Sequence, residues 1–70
     1  MNQSIERLTS TELKVLELIV EHYTNAEIAD VLVCSTETIK THVHHILQKL
    51  DARSRRDAAR AYLANIPREG

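Results

Sequence analysis

Apolar residues along this chain recur at helical spacing. The clearest run is Ile39, Val43, Ile46, Leu47 and Leu50, which stand at i, i+4, i+7, i+8 and i+11 and make a single apolar stripe. At about 100° per residue, the opposite side of that helix carries Glu37, Thr41, His44, His45 and Gln48, with Lys40 and His42 on its flanks. His44 and His45 therefore face away from a core, and His42 borders it. An earlier run, Leu13, Val15, Leu16, Leu18, Ile19 and Val20, covers most of a helix circumference and leaves only Lys14, Glu17 and Glu21 as a polar strip. A helix that apolar is expected to be packed on two sides. Between the two lies a short segment with Ile28, Ala29, Val31 and Leu32 expected inward and Glu27 and Asp30 outward.

The starts of these helices are written in hydroxyl residues. A Ser or Thr followed three positions later by a side-chain acceptor satisfies two otherwise unpaired N–H groups at a helix N-terminus. "TSTE" gives Thr9 with Glu12, and "TNAE" gives Thr24 with Glu27. "STET" places Ser35 at a third start, where Thr38 is a poorer partner, and "SRRD" places Ser54 at a fourth, with Asp57 three residues on. The prediction is an all-α, four-helix domain with helices at about 10–22, 25–32, 36–50 and 55–65. No strand is expected. Residues 1–7 are read as a flexible segment, 8–66 as the domain and 67–70 as a frayed tail.

Composition narrows the picture. Seventy residues make one small domain. There is no Phe or Trp, so the core must be Leu, Ile, Val and Ala, which suits closely packed helices. The lone Cys34 excludes an internal disulfide. No stretch approaches the ~20 apolar residues of a membrane span, so no membrane partner is expected, and a reducing, cytoplasmic compartment is. The net charge of −1 conceals a division. Residues 1–34 hold two basic and six acidic residues, a net −4; residues 35–70 hold seven basic and four acidic, a net +3. Within 38–56, Lys40, Lys49, Arg53, Arg55 and Arg56 stand against Asp51 alone. That stretch is either a solvated basic face or a surface for an anionic polymer.

Three histidines in four positions raise the question of a metal. His42 and His45 share a helical side, but zinc needs three or four converging ligands, and no paired Cys/His spacing supplies them. Cys34, His42 and Asp30 contain the groups of a nucleophilic site, yet the chain has no glycine-rich loop and little room for a pocket. No catalytic residue, metal or cofactor is predicted. A short helix, a turn of about three residues (Val33, Cys34, Ser35) and a longer helix do make a helix-turn-helix. In that motif the N-terminal part of the second helix lies over base edges in the major groove. Glu37, Lys40, Thr41, His44 and His45 occupy that surface. The hydroxyls of Ser35, Thr36 and Thr38 suit phosphate oxygens, as do Lys49, Arg53, Arg55 and Arg56. The rival reading is a helical protein-interaction module without a nucleic-acid role.

The order and spacing of "LTSTELKVLELI", "TNAEIADVL", "STETIKTHVHHILQKL" and "RSRRDA" resemble the DNA-binding domain of the LuxR/FixJ (GerE-like) family, from Leu8 to about Ala59. The resemblance implies a four-helix fold with a central helix-turn-helix that binds double-stranded DNA, usually as a dimer, and regulates transcription in bacteria. A place at the nucleoid follows. By position, Lys40, Thr41 and His44 fall where family members read bases. Ser35, Thr38, His42 and Lys49 fall among positions that hold the DNA backbone. Arg55 stands in the turn before the last helix and joins the expected phosphate contacts through its charge. That last helix, which forms the dimer contact in many members, offers Ala59, Tyr62 and Leu63 for a weak homodimer. The resemblance also implies an upstream receiver or ligand-binding domain if the chain is a fragment. Two glycines usual in the family are replaced here by His22 and Asp51, both at expected left-handed helix ends. An arginine common before the first glutamate is Thr11.

Overall fold

The computed structural model describes residues 5–65. Most of it is in four α-helices: α1 (Ser10–Val20), α2 (Asn25–Leu32), α3 (Thr36–Leu50) and α4 (Arg55–Ala64). A 3-10 turn at Ile5–Arg7 precedes α1, so part of the segment expected to fray has regular structure, and Ile5 packs against the core. Residues 1–4, the last residue of the expected domain, 66, and the expected frayed tail, 67–70, lie outside the described residues.

Each helix begins where a hydroxyl side chain accepts a backbone N–H. Thr9 and Thr24 form complete capping boxes with Glu12 and Glu27, all four hydrogen bonds falling between 2.9 and 3.1 Å. Ser35 accepts from the Thr38 N–H at 3.1 Å but forms no box, because Thr38 carries a hydroxyl that turns to Ser35 Oγ at 3.0 Å. Ser54 accepts from the Asp57 N–H at 3.2 Å, while Asp57 Oδ2 reaches one residue further back, to the Arg53 N–H at 2.9 Å.

The ends of α1, α2 and α3 share one closure. Tyr23 N–H donates to Leu18 O, Cys34 N–H to Ala29 O and Ala52 N–H to Leu47 O, each spanning five residues. In each case the residue before the donor has positive φ: His22 at 70°, Val33 at 56° and Asp51 at 55°. This is the Schellman arrangement, in which a left-handed residue lets the chain turn back on the last carbonyls. His22 and Asp51 occupy the two positions where the resemblance implies glycine. Val33 is the third, and a β-branched residue there is strained by roughly 1–2 kcal/mol. The α-helical part of α1 stops at Val20 rather than at 22, because Glu21 and His22 form this closing turn.

The core is aliphatic throughout: Val15, Leu16 and Ile19 from α1, Ile28 and Ala29 from α2, Ile39, Val43, Ile46 and Leu50 from α3, and Ala58 from α4. The stripe on α3 points inward as expected, with Leu47 half-buried at its edge. α3 packs against all three other helices, and α1 packs against both α3 and α4. One inward expectation is corrected: Val31 is 52% exposed. An eight-residue helix packed chiefly on α3 buries one narrow side, and Ile28, Ala29 and Leu32 fill it.

Val33 gives the first prediction. Its side chain is 88% exposed, so replacing it removes strain without removing core packing. Val33→Gly is expected to stabilise the domain by about 1 kcal/mol, the released strain exceeding the added freedom of the unfolded chain. Denaturant unfolding of the two proteins measures it; a variant of equal or lower stability would show that Val33 is not strained.

Candidate nucleic-acid interface

α2, the turn at Val33–Ser35 and α3 form the helix-turn-helix. Anchored by its apolar stripe, α3 presents Thr36, Glu37, Lys40, Thr41, His44 and His45 to solvent, with His42 half-buried. These side chains differ in what they are already doing. Lys40 Nζ makes only a 3.4 Å pair with Glu37, and both side chains are largely exposed. Such a pair contributes little and is readily exchanged for another partner. Thr41 Oγ1 donates to the Glu37 carbonyl at 3.2 Å, which leaves its methyl group as the uncommitted part. The His44 and His45 rings lie 6.2 Å apart and tilted. His42 Nδ1 is buried without a hydrogen-bond partner among the described residues.

Two of the cations expected at phosphates are engaged inside the chain. Lys49 Nζ donates to Glu12 Oε1 at 2.7 Å. Arg55 donates to Asn25 Oδ1 at 2.6 Å and to the Tyr23 carbonyl at 3.1 Å, tying the start of α4 to the α1–α2 connection. Arg53, Arg56 and Arg60 are exposed and make no side-chain ion pair or hydrogen bond among the described residues. Ser35 and Thr38 sit together at the start of α3. Ser35, Thr38, Lys40 and Thr41, expected at bases or backbone, thus share the N-terminal half of α3, whereas Lys49 and Arg55 stand at the far end of the helix and beyond it.

Glu12 is the residue that sequence reasoning missed in its full role. It is the one buried charged side chain of the described residues, 4% exposed. Besides closing the Thr9 box, its carboxylate takes Lys49 and faces His45 Nδ1 at 3.8 Å, an ion pair only when that imidazole is protonated. Burial pushes the Glu12 carboxyl up, but the Lys49 and Thr9 hydrogen bonds and the Lys49 charge outweigh it and hold the group below its ordinary value. Arg7 adds to the same junction by donating to the Lys49 carbonyl at 3.2 Å, at the negative end of the α3 dipole. Helical periodicity marks Glu12 as the inward side of α1, which was the available signal.

No group of three or more His, Cys, Asp or Glu side chains among the described residues converges as a metal site. None of the described helices is long and apolar enough to cross a membrane. Residues 6–62 match the family described as bacterial regulatory proteins, luxR family. The chain belongs to the luxR family. Membership carries DNA-binding transcription regulation as its general function. Among relatives, the chain is 48% identical over 54 residues to the transcriptional regulatory protein LiaR of Bacillus subtilis, covering 77% of this chain and 26% of LiaR. It is 43% identical over 53 residues to the response regulator protein VraR of Staphylococcus aureus, covering 76% of this chain and 25% of VraR. The VraR of Staphylococcus epidermidis matches to the same extent. The chain spans about a quarter of the length of these luxR-family relatives.

The junction at Glu12 gives the second prediction. Glu12→Gln leaves Lys49 without its charged partner, and a hydrogen bond between charged groups contributes about 1.5–3 kcal/mol, so a stability loss of that order is expected at pH 7. A carboxyl whose folded-state value is depressed stabilises the fold above its unfolded value of about 4.3 and ceases to do so as pH falls through the folded value. Unfolding measured from neutral pH down to below 4 should therefore show the parent losing more stability than Glu12→Gln. Parallel curves would remove Glu12 as the acid-labile tie.

Proposed function

We propose that the domain binds double-stranded DNA sequence-specifically by laying α3 in the major groove, and so regulates transcription in the bacterial cytoplasm, at the nucleoid. The observation that carries this reading is the exposed N-terminal half of α3, where Lys40 has only a weak, exposed partner. Lys40 is assigned to guanine O6 and N7, the Thr41 methyl to a thymine methyl, and His44 to a further base edge. Ser35, Thr38 and His42 hold the backbone on either side. Lys49 and Arg55 add phosphate contacts with donors left over from their internal bonds, since an ammonium has three N–H groups and a guanidinium five. Arg53, with its side chain free, adds another. The helix-turn-helix acts as a weak dimer through α4, with Ala59 and Leu63 at the contact and Tyr62 at its edge. Two of the relatives are named response regulators, and on that likeness the domain is assigned as the output part of such a protein, under a receiver.

Affinity measured for a selected site and for random duplexes, over a range of salt, tests the division of roles. Lys40→Ala should cut discrimination by about 1–3 kcal/mol with little change on random DNA. Arg53→Gln should weaken all duplexes alike and lower the salt slope by about one. Equal behaviour of the two variants would remove α3 from the groove, and absence of binding to any duplex would leave protein contact as the role of this surface.

A further inference from the structure

Thr41, His45 and Lys49 recur at every fourth residue of α3 and form one ridge, each about 6 Å from the next along the axis. Thr41 is assigned to a base and Lys49 to a phosphate, and His45 lies between them. Its side chain is 49% exposed, and Nδ1 stands 3.8 Å from Glu12 Oε2. The Thr9 N–H and Lys49 Nζ both donate to the other carboxylate oxygen, Oε1, at 3.0 and 2.7 Å, which leaves Oε2 to His45. The charges around the ring are few. Glu12 faces it from α1, and Lys49 and His44 stand beside it on α3, the His44 ring at 6.2 Å. Arg7, before α1, donates to the Lys49 carbonyl. Among the described residues no charged group of α2 or α4 pairs with His45. The Glu12 and Lys49 charges cancel, so a proton on His45 leaves a surplus positive charge. An anion from outside matches that surplus and favours the protonated ring.

We propose that His45 is a further contact to a DNA phosphate, made as its imidazolium with Glu12 behind it, so that binding takes up a proton from solvent. The chemistry of the ring requires the proton. A neutral imidazole has one N–H and one lone pair, whereas the imidazolium has two N–H groups. A neutral ring that turns its N–H to Glu12 presents the Nε2 lone pair to the phosphate. One that turns its N–H to the phosphate presents the Nδ1 lone pair to the carboxylate. Only the imidazolium donates at both ends, and its affinity for the phosphate rises as pH falls through the range where histidine titrates. Glu12 thus acts on DNA binding without touching DNA, by fixing the ring and sharing its charge. The inference rests on the DNA-binding reading above and adds to it a contact that is made only with a proton.

Calorimetric titration of the 70-residue chain with a selected and a random duplex, in buffers of different ionisation enthalpy, measures the protons taken up. The parent should take up protons with both duplexes, since a phosphate contact is independent of sequence, and should bind more tightly at about pH 6 than at about pH 8. His45→Gln should lose most of the uptake and weaken binding about tenfold at the lower pH, with little change at the higher. His45→Arg, charged throughout, should bind as tightly at about pH 8 as the parent does at about pH 6, without uptake. A merely structural role for His45 would not produce that exchange, and circular dichroism checks the fold of each variant. His44→Gln and His42→Gln should keep the uptake. If uptake persists in His45→Gln, or the parent binds duplex without taking up protons, the contact is overturned and the DNA-binding reading stands. If the parent binds no duplex at either pH, both are overturned.

Discussion

One buried carboxylate ties the two ends of this fold together. Glu12 belongs by sequence to the first turn of α1, where any Glu would complete the Thr9 box. Its burial makes it more than a cap. Inside, a carboxylate must be paired, because an isolated charge away from water is far costlier than an exposed one. Lys49, thirty-seven positions along, supplies the pairing at 2.7 Å, with its own side chain still 31% exposed. The bond joins the N-terminus of α1 to the last turn of α3, and the Arg7 contact to the Lys49 carbonyl reinforces it. Since α3 packs on all three other helices, fixing its C-terminal end fixes the angle at which its N-terminal half projects.

That division along α3 explains how one helix can serve as core and as interface. Its apolar stripe is buried from Ile39 to Leu50, so the helix cannot rotate without exposing Ile46 or Leu50. The groups held by the fold lie toward its C-terminus, and the groups free for a partner lie toward its N-terminus. Arg55 does for α4 what Lys49 does for α3: it spans to Asn25 and Tyr23 and locks the start of α4 to the start of α2. A cationic surface in such a small domain is thus split between cations that build the scaffold and cations that remain for an anionic partner. Total charge cannot distinguish the two kinds; hydrogen-bond partners can.

The helix ends show a different economy. Three closures use non-glycine residues at positive φ, and each is made by the same pair of backbone hydrogen bonds to the preceding helix. Asp51 takes that conformation at modest strain, His22 less easily, and Val33 least easily of the three. The strain at Val33 falls in the turn between the two helices of the DNA-binding motif, where the chain must reverse direction within three residues. The hydrogen bonds from Cys34 to Ala29 and from Val33 to Asp30 hold it there.

The four helix starts, the apolar stripe of α3, the all-α class and the outward placement of His44 and His45 were legible in the sequence, because capping and amphipathic periodicity are local: they depend on residues three or four positions apart. Two of the three left-handed ends were legible from the family resemblance, through the missing glycines. Val33 was not, because a β-branched residue carries no local signal for a conformation that it disfavours. Nor was the exposure of Val31, since an apolar residue on a short helix is buried only if a neighbour covers it. The internal partners of Lys49 and Arg55 were equally out of reach. Both were readable as cations, but Glu12 lies thirty-seven residues from Lys49 and Asn25 thirty from Arg55. Only the packing of α1 and α2 against the later helices decides that those charges meet, because Coulomb attraction acts over ångströms in space and not along the chain.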